Sequence, residues 1–149
     1  MKLAIASDHA GFRLKQQLLD TLKELNVEFD DLGTFDEQSV DYPDYGKKVA
    51  EGVAAGKYDQ GVLICGTGLG MAITANKVRG VRAVTAHDTF SAQMARMHND
   101  ANVLTMGERV VGPGLAAEVL KTWLATEFEG GRHQRRVDKM KALEEAWVN

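Results

Sequence analysis

The sequence predicts an α/β fold built on a five-stranded parallel sheet, and three observations carry that expectation. Five short apolar runs recur along the 149 residues, at 3–7, 27–32, 62–65, 82–86 and 102–106. Stretches with helical spacing of apolar residues separate them, so the chain reads as successive βαβ units, whose crossovers make neighbouring strands parallel. A hydrophobic content of 44% at this length suits one proper core and a single domain over residues 1–149.

The first run, Leu3-Ala4-Ile5-Ala6-Ser7, ends at Asp8 and His9. Leu14, Leu18, Leu22 and Leu25 follow at near-helical spacing, a stripe able to cover one sheet face. After the second run comes the longest connection, 33–44, which contains Asp41, Tyr42 and Pro43 and can close over one edge of the sheet. A second helix is expected over 45–55. The third run leads through a glycine loop into a helix over 69–78, and the fourth through His87 and Asp88 into a helix over 91–98. The fifth leads through 107–109 into a helix over 113–128. Pro113 suits that helix's first turn, and Gly130-Gly131 stops it. A last helix over 135–147 carries Val137, Met140, Leu143 or Glu144, and Trp147 along one side.

Composition narrows the function classes. A net charge of -3 and a pI near 5.8 argue against nucleic acid as the main partner, because phosphate-backbone binding shows as a basic surplus. One cysteine precludes an intramolecular disulfide framework and suits a reducing compartment, and the apolar N-terminal run is too short for a signal peptide or membrane span. A cytoplasmic location is the expectation. Charge is unevenly spread: Arg132, Arg135, Arg136, Lys139 and Lys141 face only Asp138 in the stretch 130–141. Such a run is usually a solvated helix face, but it also offers a seat for an anion.

The chemistry concentrates at Cys65-Gly66-Thr67-Gly68-Leu69-Gly70. Ligands of open parallel sheets bind beyond the carboxyl ends of the strands. A thiol there faces main-chain N–H groups and the positive end of a helix dipole, which favour the thiolate. A lone cysteine on a strand is more often an inert buried filler; the three glycines shift the balance, since they leave no side chains between the sulfur and a ligand. The loop fails known patterns: Met71 stands where a dinucleotide fingerprint needs its third glycine, and no Gly-Lys-Ser/Thr ends a P-loop. What remains is a small oxyanion site beside a basic sulfur, with the Thr67 hydroxyl at hand, a layout suited to taking a proton next to a carbonyl. His98 and Asn99 alone read as helix-surface residues. Arg109, Arg132 and Arg136 offer guanidinium forks for phosphate, the last two sharing a face if the final helix starts early enough.

Read together, Ser7-Asp8-His9-Ala10-Gly11, Asp41-Tyr42-Pro43, Cys65-Gly66-Thr67-Gly68, Ala75-Asn76-Lys77, His98-Asn99-Asp100-Ala101-Asn102 and Gly130-Gly131-Arg132-His133 closely resemble ribose-5-phosphate isomerase type B over nearly the whole chain. The resemblance implies a Rossmann-like three-layer α/β/α sandwich, no metal or organic cofactor, and a homodimer with active sites at the interface, alone or as half of a dimer of dimers. The last helix would then pack on the partner. The implied reaction interconverts D-ribose 5-phosphate and D-ribulose 5-phosphate through a cis-enediolate, a step of the pentose phosphate pathway.

The resemblance also implies roles. Cys65 is the base between C2 and C1, Thr67 assists transfer between the oxygens, and Gly66, Gly68, Gly70 and Asn99 stabilise the enediolate. His98, helped by Asp8, opens the furanose ring. His9, Arg109, Arg132 and Arg136 hold the phosphate, the last two supplied by the partner, and Tyr42 and His133 match positions close to the ligand. One branch uses a glutamate where this chain has Met71, which cannot titrate, so Cys65 is left as the base. The Gly-Gly-Arg-His segment favours a five-carbon substrate. The alternatives are an isomerase of allose 6-phosphate or galactose 6-phosphate, and a non-catalytic module in which the loop only cradles a phosphate ligand.

Overall fold

Leu3 and Ile5 point to one side of the first strand and Ala4 and Ala6 to the other, and all four are fully buried, so the opening run builds a strand covered on both faces. The computed structural model describes the backbone of residues 1–148 and the side chains of residues 1–147. Its strands are β1 (Lys2–Ser7), β2 (Glu28–Asp31), β3 (Gln60–Cys65), β4 (Ala83–Thr85) and β5 (Val103–Gly107), all parallel. The helices are α1 (Phe12–Glu24), α2 (Tyr42–Ala54), α3 (Leu69–Ala75), α4 (Thr89–Asn99), α5 (Pro113–Ala125) and α6 (Arg132–Glu145). Helices α1, α4 and α5 pack on Leu3, Ile5, Val62, Ile64, Leu104 and Met106, while α2 and α3 pack on Ala4, Ala6, Leu63, Cys65 and Val103. This is the expected three-layer sandwich. Truncating Leu14, Leu18 or Leu22, the buried stripe of α1, to alanine costs about 2–5 kcal/mol each. No described helix is long and apolar enough to cross a membrane.

Strand order, which periodicity alone does not fix, is β2-β1-β3-β5-β4. The chain leaves β1 in one direction to reach β2 and returns to the other side of it with β3, so the carboxyl ends of β1 and β3 border a switch point, where helices diverge and a crevice opens. With β5 rather than β4 beside β3, Gly107 lies in register with Cys65. Arg109 is thereby brought to the crevice, and the turn at His87 sits one strand further out.

Local chemistry moves several boundaries. Asp41 takes the N-cap position and Pro43 the first turn, so α2 starts at Tyr42 rather than at 45. Asn26, in the left-handed region at φ 55°, ends the first crossover, and Leu25 falls outside α1, where it is exposed. Asn76 stops α3 at Ala75: its side-chain amide exchanges hydrogen bonds of 2.8 and 2.9 Å with the main chain of Ala83 and turns the chain into β4. Helix α5 ends at Ala125, and Gly130 and Gly131, at φ 71° and 57°, form the turn into α6 instead of the stop of α5. Of the expected α6 stripe only Val137 is buried; Met140, Leu143 and Trp147 are exposed. The end of α6 is tied to its own chain by an Arg79–Glu145 ion pair and by Gly80 N–H donating to Glu144 at 3.0 Å.

Candidate active site

The carboxyl ends of β1, β3 and β5 enclose an open pocket of about 310 Å³ lined by Asp8, His9, Ala10, Tyr42, Cys65, Gly66, Thr67, Gly70 and Arg109. Cys65, only 4% exposed, is among the residues that line this pocket, with glycines at 66, 68 and 70 after it. Each glycine is filled from the far side. A Cβ on Gly66 would come within 3.1 Å of the Arg109 guanidinium, and one on Gly70 within 2.7 Å of the Tyr42 ring. A Cβ on Gly107 would meet the Thr67 main chain at 2.5 Å, so β5 presses directly on the loop.

Gly68 adopts φ 80°, a left-handed conformation that suits glycine, and this turns its N–H onto Cys65 Sγ at 3.2 Å. The conformation is held from below. Thr105, fully buried, donates its hydroxyl to the Gly68 carbonyl at 2.8 Å, and the Thr85 hydroxyl lies 2.8 Å from that of Thr105. The N–H groups of Gly66 and Thr67 have no main-chain acceptor among the described residues, which leaves them available to an oxyanion. Met71 is fully buried in the core and lies outside this cluster.

Opposite the sulfur, Asp8 caps the turn His9–Gly11 by accepting from Gly11 N–H at 3.1 Å. His9 Nδ1 accepts from Val40 N–H at 3.1 Å, so in the neutral ring Nε2 carries the proton and is the donor left for a ligand. Val40 belongs to the long connection, which does run along this edge as expected. Lys15 anchors the connection's start, binding Asp31 at 2.6 and 2.8 Å and the Thr34 carbonyl at 2.7 Å.

His87, expected at the carboxyl edge after the fourth strand, plays a supporting part there. Its Nε2 accepts from Gly107 N–H at 2.9 Å and so fastens the strand end that bears on the loop. Burial pushes the ring below its ordinary value of 6.5, with Asp88 pulling weakly the other way. Only the neutral ring accepts that N–H. Its contribution to stability is complete above 6.5 and is lost as pH falls below 6.5 through the lowered folded value. The thermal unfolding midpoint is therefore expected to drop on acidification through that window. His87→Gln, whose side-chain carbonyl accepts without titrating, should flatten the drop; a slope unchanged from wild type would count against this role. Burial also lowers His133, which adds a parallel slope that the variant keeps.

The other expected site residues form a second group elsewhere. His98 and Asn99 end α4, which returns to the amino edge of the sheet, where Arg82 binds the carbonyls of Asn99 and Asp100 at 3.1 and 2.8 Å. His98 stacks on His133 with ring centroids 4.1 Å apart. Arg132 and Arg136 flank His133 on α6, which starts early enough for them to share a face; both are exposed and make no ion pair among the described residues. A five-residue strand separates this edge from Cys65, on the order of 15 Å. Within one chain Asp8 and His98 therefore lie at opposite edges of the sheet.

The chain matches the Ribose/Galactose Isomerase family over residues 3–140, which takes in both groups. It is 52% identical to ribose-5-P isomerase B of Listeria innocua, covering 97% of this chain and 98% of that one. It is 42% identical to D-erythrulose-4-phosphate isomerase of Pectobacterium atrosepticum, covering 94% and 93%. The solved structure of Clostridium thermocellum ribose-5-phosphate isomerase B superposes with a TM-score of 0.97 at 52% identity, covering 99% of each chain. With likeness running from the first strand into the last helix in both sequence and shape, this chain belongs to the ribose/galactose isomerase family.

Proposed function

We propose that the protein interconverts D-ribose 5-phosphate and D-ribulose 5-phosphate, with Cys65 as the base. The observation that carries this reading is Cys65 in the lining of an open pocket, with the Gly68 N–H on its sulfur and the next two N–H groups, of Gly66 and Thr67, without main-chain acceptors among the described residues. In the forward direction the thiolate takes the proton from C2 of the open-chain aldose. The C2–H electron pair forms the C1=C2 bond, and the carbonyl pair moves to O1, where the loop amides meet its charge. The thiol then returns the proton to C1, Thr67 relays the hydroxyl proton from O2 to O1, and the carbonyl re-forms at C2. Atoms and electrons balance without a redox partner.

The second group completes the site from another copy of the chain. His98 would open the furanose ring, Asn99 would add a donor, and Arg132 and Arg136, with His133 near them, would join His9 and Arg109 on the phosphate. Each group lacks what the other holds, and the exposed Met140, Leu143 and Trp147 of α6 are apolar surface suited to cover by a partner. The single thiol suits a cytoplasmic setting.

Rates on a panel of sugar phosphates test the reading. Ribose 5-phosphate is expected to give the highest kcat/KM; preference for allose or galactose 6-phosphate would move the substrate to six carbons. Preference for D-erythrulose 4-phosphate, the substrate in the name of the Pectobacterium relative, would move it to four. Binding without turnover would leave only a phosphate-ligand module. Thr105→Val probes the loop: it keeps the shape and removes the hydroxyl under Gly68. Urea unfolding should show a loss of about 1–2 kcal/mol. The kcat should fall while KM stays near wild type, because the amides that meet the developing charge are no longer fixed; an unchanged kcat would refute this.

A further inference from the structure

We propose that His98, Glu129 and His133 form a binding site for a divalent transition-metal ion of the zinc class, and that filling it turns the isomerase off. The first observation is an orphan: His133, only 5% exposed, has a buried Nε2 with no hydrogen-bond partner. The second is what surrounds it. Glu129 Oε2 lies 4.0 Å from that nitrogen and 3.9 Å from His98 Nε2, and one ligand atom from each of the three residues falls within 4.8 Å of the others.

The donors come from three pieces of chain that the fold holds together. His98 lies in the last turn of α4 and His133 in the first turn of α6. Glu129 lies between α5 and α6, its N–H donating to the Met97 carbonyl at 3.0 Å. Zinc takes nitrogen and oxygen at about 2.0–2.2 Å, so donors on one tetrahedral ion stand about 3.4 Å apart. Closing the 3.9 and 4.0 Å gaps to the carboxylate needs about half an ångström each, and the widest separation, within 4.8 Å, closes by up to about 1.4 Å. The rings are also nearly parallel, at 9°, so they must splay for both lone pairs to converge. His98 and Glu129, each partly exposed, have the room to move, while buried His133 stays as the fixed post. Two imidazoles with one carboxylate select zinc-like ions over magnesium or calcium, which prefer all-oxygen shells. Arg132 and Arg136 on the same helix oppose a cation, and the Glu129 carboxylate offsets part of that. The inhibitory consequence rests on the proposed function, because the ion would take the lone pair of the imidazole assigned to ring opening.

Zinc titrated into metal-free protein against a chromophoric indicator tests the site. One ion per chain is expected, retained by Cys65→Ala, weakened about tenfold or more by Glu129→Gln, and lost when Glu129→Gln is combined with His98→Asn. Loss of binding in Cys65→Ala, or unchanged binding in Glu129→Gln, would overturn the proposal. In the isomerase assay zinc should inhibit where magnesium does not, and EDTA should reverse it. Glu129→Gln should turn over at the wild-type rate without metal and need about tenfold more zinc for half-inhibition; an unshifted inhibition curve would also overturn it. The indicator titration uses no substrate. Turnover failing while zinc binds would sink the isomerase reading alone, and normal turnover without binding would sink the metal site alone.

Discussion

Cys65→Ala is expected to lower kcat for ribose 5-phosphate by about 10³-fold, the scale of a positioned general base, while the protein stays folded. Among the described residues that line the pocket, none of the carboxylates or imidazoles is as free to take the sulfur's part. Asp8 is engaged by Gly11 N–H, His9 accepts from Val40 N–H at Nδ1, and Met71 is a buried thioether. The main-chain donors remain in the variant, so substrate binding should change little. KM is predicted to hold near its wild-type value, and circular dichroism and gel filtration should match wild type. Retention of more than about a tenth of the wild-type kcat would end the assignment of the sulfur as base.

Arg132→Ala is expected to raise KM strongly, since it removes charge-assisted bonds to a phosphate that does not react. A larger effect is expected on mixing two other variants. If the two groups of residues meet only across two copies of the chain, Cys65→Ala homodimers and His98→Asn homodimers each lack one half of every site. Subunit exchange between them creates heterodimers with one intact site and one doubly defective site. Equal amounts mixed at random should recover about a quarter of wild-type activity from two nearly inactive preparations. Activity that stays at the level of the separate variants after proven exchange would refute the shared site. A single chain could not pass this test, because His98 and Cys65 sit at opposite edges of its sheet.

The five strands were legible because each is a short apolar run bounded by turn residues, and the sulfur's place followed from the glycines after it. Helix ends were less legible. Asn76 and Asn26 end their segments through a side-chain bridge and a left-handed conformation that apolar spacing does not register. Sheet order was not legible either, since periodicity says how a strand is buried and not which neighbour it takes. That order brings Arg109 to Cys65 while sending His98 to the far edge. The roles of His87 and Thr105 were missed because both act through the main chain of another segment, Gly107 and Gly68, contacts that exist only once β5 lies beside β3 and β4. For His87 the sequence signalled the place, directly after a strand, but not the partner.

The glycines at 66, 68, 70 and 107 carry a consequence for how such a protein can diversify. Arg109, Met106, Tyr42 and Thr67 already occupy the volume that a larger residue would need at each of them. Positions 68 and 107, where main chain fills the space, are thus closed to larger residues, while 66 and 70 admit one only if Arg109 or Tyr42 gives way. Variation in what the pocket accepts is therefore freer along the rim, at Tyr42 and on the connection that carries Val40, than in the loop itself.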